Sequence, residues 1–258
     1  MMLTAANLDA PGRLRHGFFT RDRGVSQGVN AFLNCGFSSG DDERLVLANR
    51  SIAMEKLGVP AGWLTTVKQV HGTAVHRVQA PAPGPSAIEA DALVTDRPGI
   101  VLGVLTADCA PVLLADRDAG VIGAAHAGWR GALAGITDSL VQAMLDLGAA
   151  RRRIVAAVGP CIAKLSYEVG PDMHAAFADA DPGGLDLFTP VAGSDRSLFD
   201  LKAYVRRRLE RLGLENVEAL PEDTFADEQR FFSARRSRRR GEDKFGLLLS
   251  AIGLMETV

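Results

Sequence analysis

His71, Cys109 and His126 are the residues of this chain whose types and setting point to chemistry. Each closes a short apolar run that reads as a β-strand, and each precedes residues that stop a strand. His71 ends WLTTVKQVH before Gly72, Cys109 ends GVLTADC before Ala110-Pro111, and His126 ends VIGAAH before AGWRG. Side chains at strand ends, beside loops, are where a scaffold gathers functional groups at one rim of a sheet. Two imidazoles and a thiolate suit Zn²⁺ and leave its fourth position open for water or substrate. The same residues also make a nucleophile and base set, with Cys109 as nucleophile and His126 or His71 as its base. The three lie far apart in sequence and form no compact CxxC-type signature, so spacing alone leaves both readings open.

Neighbouring residues extend the pattern. Asp108 beside Cys109 is an acid so close to an apolar strand that it calls for a partner, such as a bond to a ligand imidazole. After His126, Ala127-Gly128-Trp129-Arg130-Gly131 leads into a helix. A glycine-rich approach to a helix N-terminus exposes unpaired N–H groups and the positive end of the dipole, which suits an anion. Arg130 can add a bidentate phosphate contact. Trp129 either stacks on a flat ring or sits in the core, and the core is the commoner place for it.

These residues need elements to hold them. From Trp63 to Val158 the chain is strand-rich, with WLTTVKQVH, ADALVTD, IVLGVLT, PVLLAD, VIGAAH and IVAAVG, and Asp116 to Gly120 reads as a hairpin connection. Leu133, Ile136, Leu140, Val141, Met144 and Leu147 recur at helical spacing and predict one helix with a buried face. A second helix is expected from an Asp200 N-cap through Leu201, Val205, Leu209 and Leu212 to Gly213, and a shorter one over Glu43 to Leu57. The segment APAPGPS, residues 80–86, reads as a stiff surface loop rather than a boundary. Strands followed by separate helices favour α+β: one layered α/β domain over residues 1–258, with mixed β-sheets packed by helices.

Composition narrows the function classes. The chain has 258 residues, 47% of them apolar and 23% charged, with a net charge of −2. That balance argues against a general nucleic-acid binder. Three cysteines with no close pair make no disulfide framework and fit a reduced, cytoplasmic setting. The N-terminal stretch lacks the apolar core of a signal peptide, and Gly99 to Ala107 is too short to span a bilayer. A monomer without membrane contact is expected.

The strings KQVHG, ADALVTD, LTADCAPVLLAD, AAHAGWRG, VGPCI, YEVG and FFSARR, in this order, resemble the laccase-domain family. Its bacterial members are also called YfiH-like or peptidoglycan editing factor proteins. The resemblance covers nearly the whole chain from RHGFFTR onward and implies the YfiH-like fold. It implies zinc held by the residues matching His71, Cys109 and His126, which would then also be catalytic. It implies purine nucleoside phosphorylase activity on a purine nucleoside and inorganic phosphate, with adenosine deaminase and methylthioadenosine phosphorylase side activities. An Arg of the family's NR motif, placed near substrate phosphate, matches Arg50; we group Gln69 and Arg130 with it as expected substrate or phosphate contacts.

The chain departs from the family pattern in places. DRGVS and NCG, with Cys35, stand where GGVS and NLG are usual. Asp223-Thr224 replaces a Cys-Thr pair, and Ala234 replaces the Tyr of FFSYR. None of these touches the triad, but they leave substrate preference open. The family's older label, polyphenol oxidase, fits poorly: multicopper centres need several imidazoles per copper, and this chain has five histidines and no His-x-His pair. Copper is the less favoured metal.

Other signals are weaker. Gly24 to Gly28 matches GxSxG but lacks the flanking strand and helix that a nucleophile elbow requires, so it reads as a turn. The run Arg235 to Arg240 reads as a solvated face or mobile loop, except that its first two arginines match the family motif, which leaves a structural or a phosphate-facing role open for them. Cys35 and Cys161 are expected to be packing residues, and His16, His76 and His174 show no partner pattern. Glu168 is a minor candidate acid. Beside the zinc enzyme stand two alternatives: a metal-free Cys-His hydrolase or deamidase, and a non-enzymatic partner in cell-wall synthesis.

Overall fold

The fold is that of a computed structural model, which describes residues 2–10 and 12–255. In chain order it opens with β1 (Met2–Leu3), β2 (Leu14–Phe19), α1 (Glu43–Leu57), β3 (Leu64–Thr65) and β4 (Val75–Arg77). The strand-rich centre follows as β5 (Ala92–Thr95), β6 (Val101–Thr106), β7 (Ala110–Asp116), β8 (Val121–Ala127), α2 (Trp129–Ala134), α3 (Ile136–Asp146) and β9 (Val155–Val158). The remainder is β10 (Glu168–Val169), α4 (Pro171–Ala180), β11 (Phe188–Pro190), β12 (Ser197–Phe199), α5 (Leu201–Arg211), β13 (Asn216–Ala219), α6 (Ala234–Arg239) and β14 (Leu248–Leu254).

Two large sheets are stacked between helices. One has the order β13-β9-β7-β8-β5-β4, the other β1-β2-β14-β6-β3, and a small third sheet is β10-β12-β11. The sheets are mixed: β13/β9, β4/β5 and β3/β6 pair parallel, while β7/β8, β7/β9 and β14/β6 pair antiparallel. Alternation along each strand sends neighbouring side chains to opposite faces. In β7, Val112 and Leu114 join a core beneath α3, α4 and α5, whereas Leu113 and Ala115 join a core between the two large sheets. In β14, Ile252 faces the inter-sheet core, while Leu249 and Ala251 pack with Met54 and Leu57 of α1. The layers therefore run helix, sheet, sheet, helix. Strands buried on both faces must be apolar throughout, which is why they appear in the sequence as unbroken runs rather than alternating ones.

The expected α+β layering with mixed sheets and packed helices is what the structure contains. α1 matches its expected span, capped by Asp42, whose side chain accepts the Arg44 N–H. α5 starts at the expected Asp200 cap, which accepts the Ala203 N–H. Other elements differ. The helix expected through Leu133 to Leu147 is broken into α2 and α3 at Gly135, whose φ of +100° is open to glycine and strained for other residues. The basic run forms the helix α6 rather than a loop, capped by Ser233; residues 238–240 are exposed as expected of a solvated face, and Arg236 takes the structural role, buried with its guanidinium donating to the carbonyls of Thr224, Phe225 and Phe231. Gly24 to Gly28 does lie in a turn, with Ser26 bridged to Phe32. No helix among the described residues is long and apolar enough to cross a membrane.

Candidate metal centre and its cavity

The chain changes sheets at the places where the candidate ligands lie. β3 belongs to the five-stranded sheet and β4 to the six-stranded one, and His71 lies on the segment between them. Cys109 sits likewise on the crossover from β6 to β7. His71 does not close a strand as expected: of WLTTVKQVH only Leu64–Thr65 is strand, followed by an isolated bridge between Lys68 and Glu89. The hydrogen bonds that would extend β3 go elsewhere. Gln69 spends both ends of its side-chain amide on the backbone of Leu105, at 2.7 and 2.8 Å, which pins the segment to β6.

Strand register brings the other two residues together. β7 and β8 pair Ala110 with Ala127 and Pro111 with His126, so the residue before β7, Cys109, lies at the same rim as His126. β5 and β8 pair Ala92 with Ala125, which puts Asp91 beside His126. His126 Nδ1 lies 2.8 Å from Asp91 Oδ1, and Cys109 Sγ lies 3.9 Å from His71 Nε2. One ligand atom from each of His71, Cys109 and His126 falls within 4.8 Å of the others.

This donor set fits a metal ion. With bonds of about 2.0–2.3 Å, tetrahedral zinc holds its nitrogen and sulfur ligands roughly 3.5 Å apart, so the Cys109–His71 pair at 3.9 Å is nearly set and the group, within 4.8 Å, need only draw in slightly. Gly128 keeps the space clear, since a Cβ there would lie 2.8 Å from His71 Cδ2 and 3.0 Å from Cys109 Sγ. Gly131 lets α2 approach the loop, as a Cβ there would meet the Gly72 carbonyl oxygen at 3.0 Å. The donors favour a single ion rather than several coppers: this is the one group of three or more His, Cys, Asp or Glu ligands among the described residues.

Two of the turns that present these ligands are strained. His71 has φ +62° and Asp108 has φ +89°, both left-handed for residues other than glycine. Asp108 is not the partner of a ligand imidazole, contrary to expectation; Asp91 is. The Asp108 carboxylate instead accepts from Thr224 Oγ1 at 2.7 Å, Ser233 Oγ at 2.9 Å and the Arg235 N–H at 2.7 Å. It thereby ties the Cys109 turn to the C-terminal segment. Burial still pushes its carboxyl up from the usual range, against the pull of those hydrogen bonds and of Arg236.

The electrostatics single out one thiol of three. Burial alone raises the Cys109 thiol, but His126, by charge and hydrogen bond, and then His71 outweigh it and bring it down to about 6. Burial lowers His126, yet the Cys109 thiolate and Asp91 push it up to about 9. Burial without such partners takes Cys35 and Cys161 up to about 12, as suits packing residues.

The triad opens into a cavity of about 1030 Å³, whose wall includes Arg50, Gln69, Arg130, Tyr167, Glu168 and Arg235. Arg50 is 5% exposed; it donates to the Cys35 carbonyl and to Thr66 Oγ1, leaving Nη2 without a partner. Its guanidinium lies over the Phe37 ring at 4.2 Å. Arg130 is exposed and stacks on the half-buried Trp129 at 4.4 Å. The helix behind it, α2, has only six residues, too few for much of a dipole. Arg235 lies over the Tyr167 ring at 5.4 Å and donates to the Glu168 carbonyl. The Glu168 carboxylate is 3.4 Å from Arg196.

Comparison with known proteins agrees with this architecture. The family described as multi-copper polyphenol oxidoreductase laccase matches residues 15–255. A purine nucleoside phosphorylase of Deinococcus radiodurans is 45% identical over 205 residues, which is 77% of this chain and 78% of that one. Another from Streptomyces coelicolor is 41% identical over 225 residues, 87% of this chain and 91% of its own. Among solved structures, a Neisseria meningitidis protein superposes with a TM-score of 0.86 at 34% identity, covering 99% of both chains. The hypothetical protein YfiH of Bacillus licheniformis gives 0.86 at 29% identity, covering 96% of this chain and 98% of its own.

Proposed function

This chain belongs to the multi-copper polyphenol oxidoreductase laccase family, and on that premise we propose that it is a purine nucleoside phosphorylase that holds one zinc ion. The observation that carries the reading is the convergence of His71, Cys109 and His126 within 4.8 Å on the wall of a cavity rich in arginine. The relatives that bear the name purine nucleoside phosphorylase support the substrate class.

In phosphorolysis a phosphate oxygen bonds to C1′ of the ribose, the C1′–N9 bond breaks, and the purine leaves with the electron pair and takes up a proton. The protein must therefore hold an anion against a sugar carbon that gains positive charge. Arg50 serves the anion, with one guanidinium nitrogen uncommitted and the others fixed by Cys35 and Thr66. Gln69 positions the His71 segment through Leu105. Arg130 and Arg235, each stacked on an aromatic ring, give the cavity further positive charge. Glu168, paired with Arg196, offers a carboxylate to the substrate's hydroxyl or amino groups. His71, Cys109 and His126 would hold the zinc ion, which would supply Lewis acidity at this end of the cavity. Side activities as an adenosine deaminase or methylthioadenosine phosphorylase would use the same cavity.

The test is chromatography of products after incubation with adenosine and phosphate, with and without a chelator. Adenine and ribose 1-phosphate that disappear with the chelator are expected. Inosine alone would replace the reading with deamination, and neither product would overturn it.

One observation favours a second reading. Cys109, His126 and Asp91 stand in the order nucleophile, base and orienting acid, with the last two 2.8 Å apart. A metal-free cysteine hydrolase would use that arrangement. It predicts protein without stoichiometric zinc, activity untouched by chelator, and inactivation by iodoacetamide.

A further inference from the structure

We propose that Asp91 is the positioning residue that assembles the metal centre, holding His71 and His126 in ligand geometry with one carboxylate. The inference rests on reading the triad as a metal centre. Asp91 is wholly buried. Its Oδ1 accepts the His71 N–H at 2.9 Å and the His126 Nδ1–H at 2.8 Å. Its Oδ2 accepts the Val70 N–H at 3.1 Å and the Gly72 N–H at 2.6 Å. Three successive N–H groups converging on one anion form a nest, and a nest needs a residue in left-handed conformation. That residue is His71, with φ +62°. The carboxylate thus offsets the strain that aims the His71 ring at Cys109.

The same carboxylate sets the tautomer of His126. Nδ1 is used on Asp91, so Nε2 is the nitrogen that a bound metal would take, on the side of Cys109. Asp91 is itself fixed, because its carbonyl accepts the His126 N–H at 2.8 Å and its N–H donates to Ala74 at 3.0 Å. All four side-chain partners are donors, and only a carboxylate can accept from all four. An amide at this position would turn its NH₂ toward either the Val70 and Gly72 N–H groups or the His71 N–H and His126 Nδ1. The first choice opens the nest, and the second inverts the His126 tautomer.

The experiment compares zinc affinity of wild type and Asp91→Asn by competition with a chelator, and reads the histidine ring nitrogens by ¹⁵N NMR. The variant is expected to lose about 10- to 100-fold in zinc affinity and to show His126 partly as the other tautomer. Affinity within twofold of wild type, with unchanged His126 signals, would overturn the proposal. Should the variant not fold, wild type decides: Nδ1 protonated in His126 supports the assignment, and Nδ1 bound to zinc overturns it. If wild type binds no zinc, the metal reading fails separately, and a His126 Nδ1–H signal in that protein without the shift of a hydrogen bond to a carboxylate overturns Asp91 as its partner.

Discussion

The rim that carries the triad and the helical layer beneath the six-stranded sheet are built on opposite terms. Under the sheet, Phe177, Phe199 and Tyr204 are fully buried among α4, α5 and β12, with ring centroids 4.8–6.0 Å apart. Ion pairs such as Arg208–Asp138 and Arg211–Asp181 clasp α5 to its neighbours. The rim has two left-handed turns, a buried guanidinium nitrogen without a partner, and a carboxylate committed to four donors. Stability resides in the first region and reactivity in the second, so mutations should separate the two properties.

Phe199→Ala breaks the comparison most directly. Truncating this ring should cost about 3–5 kcal/mol of unfolding free energy, read by denaturant titration. The folded fraction should keep its kcat/KM; a loss there would mean that the layers are coupled. Cys109→Ala should do the reverse. Activity should fall by more than about 100-fold, roughly 2.7 kcal/mol in the barrier, while the melting temperature moves by less than about 4 °C.

Gly128→Ala sharpens the contrast, because the backbone there has φ −69°, acceptable to any residue. The atoms nearest the added methyl belong to His71 and Cys109, so zinc affinity should fall about 10-fold or more, a larger change than in stability. Alkylation of metal-free protein compares the thiols themselves. The Cys109 rate should be half-maximal near pH 6, with thiolate present above that value and lost as pH falls through it. Cys35 and Cys161, at about 12, should stay unlabelled at neutral pH. Asp138→Asn, removing a partly exposed pair, should cost at most about 1 kcal/mol.

Much of this was legible in the residues. Apolar runs gave the central strands because both faces of each large sheet are covered. Asp200 announced its helix because a cap is a local interaction. α4 was not legible, since only Met173 and Phe177 of its ten residues are buried, too few for a periodic face. His71, Cys109 and His126 stood out by type and through family resemblance, but their convergence depends on register between strands. Asp91 was hidden for another reason: most of its partners are backbone N–H groups, which carry no residue identity. For Arg236 the choice between a structural and a phosphate-facing role stayed open, because its charge meets carbonyls that sequence does not display.

The place of β14 between β2 and β6 sets an order of events in synthesis. Those two strands leave the ribosome with their inner edges open and stay so until residues 248–254 have been made. The Cys109 turn waits as well, because Thr224, Ser233 and Arg235 anchor it from late in the chain. The nascent protein thus carries exposed strand edges through most of its elongation, a condition that favours chaperone binding. The three candidate ligands are all made by residue 126, so the brace on the Cys109 turn arrives about a hundred residues after the group it steadies.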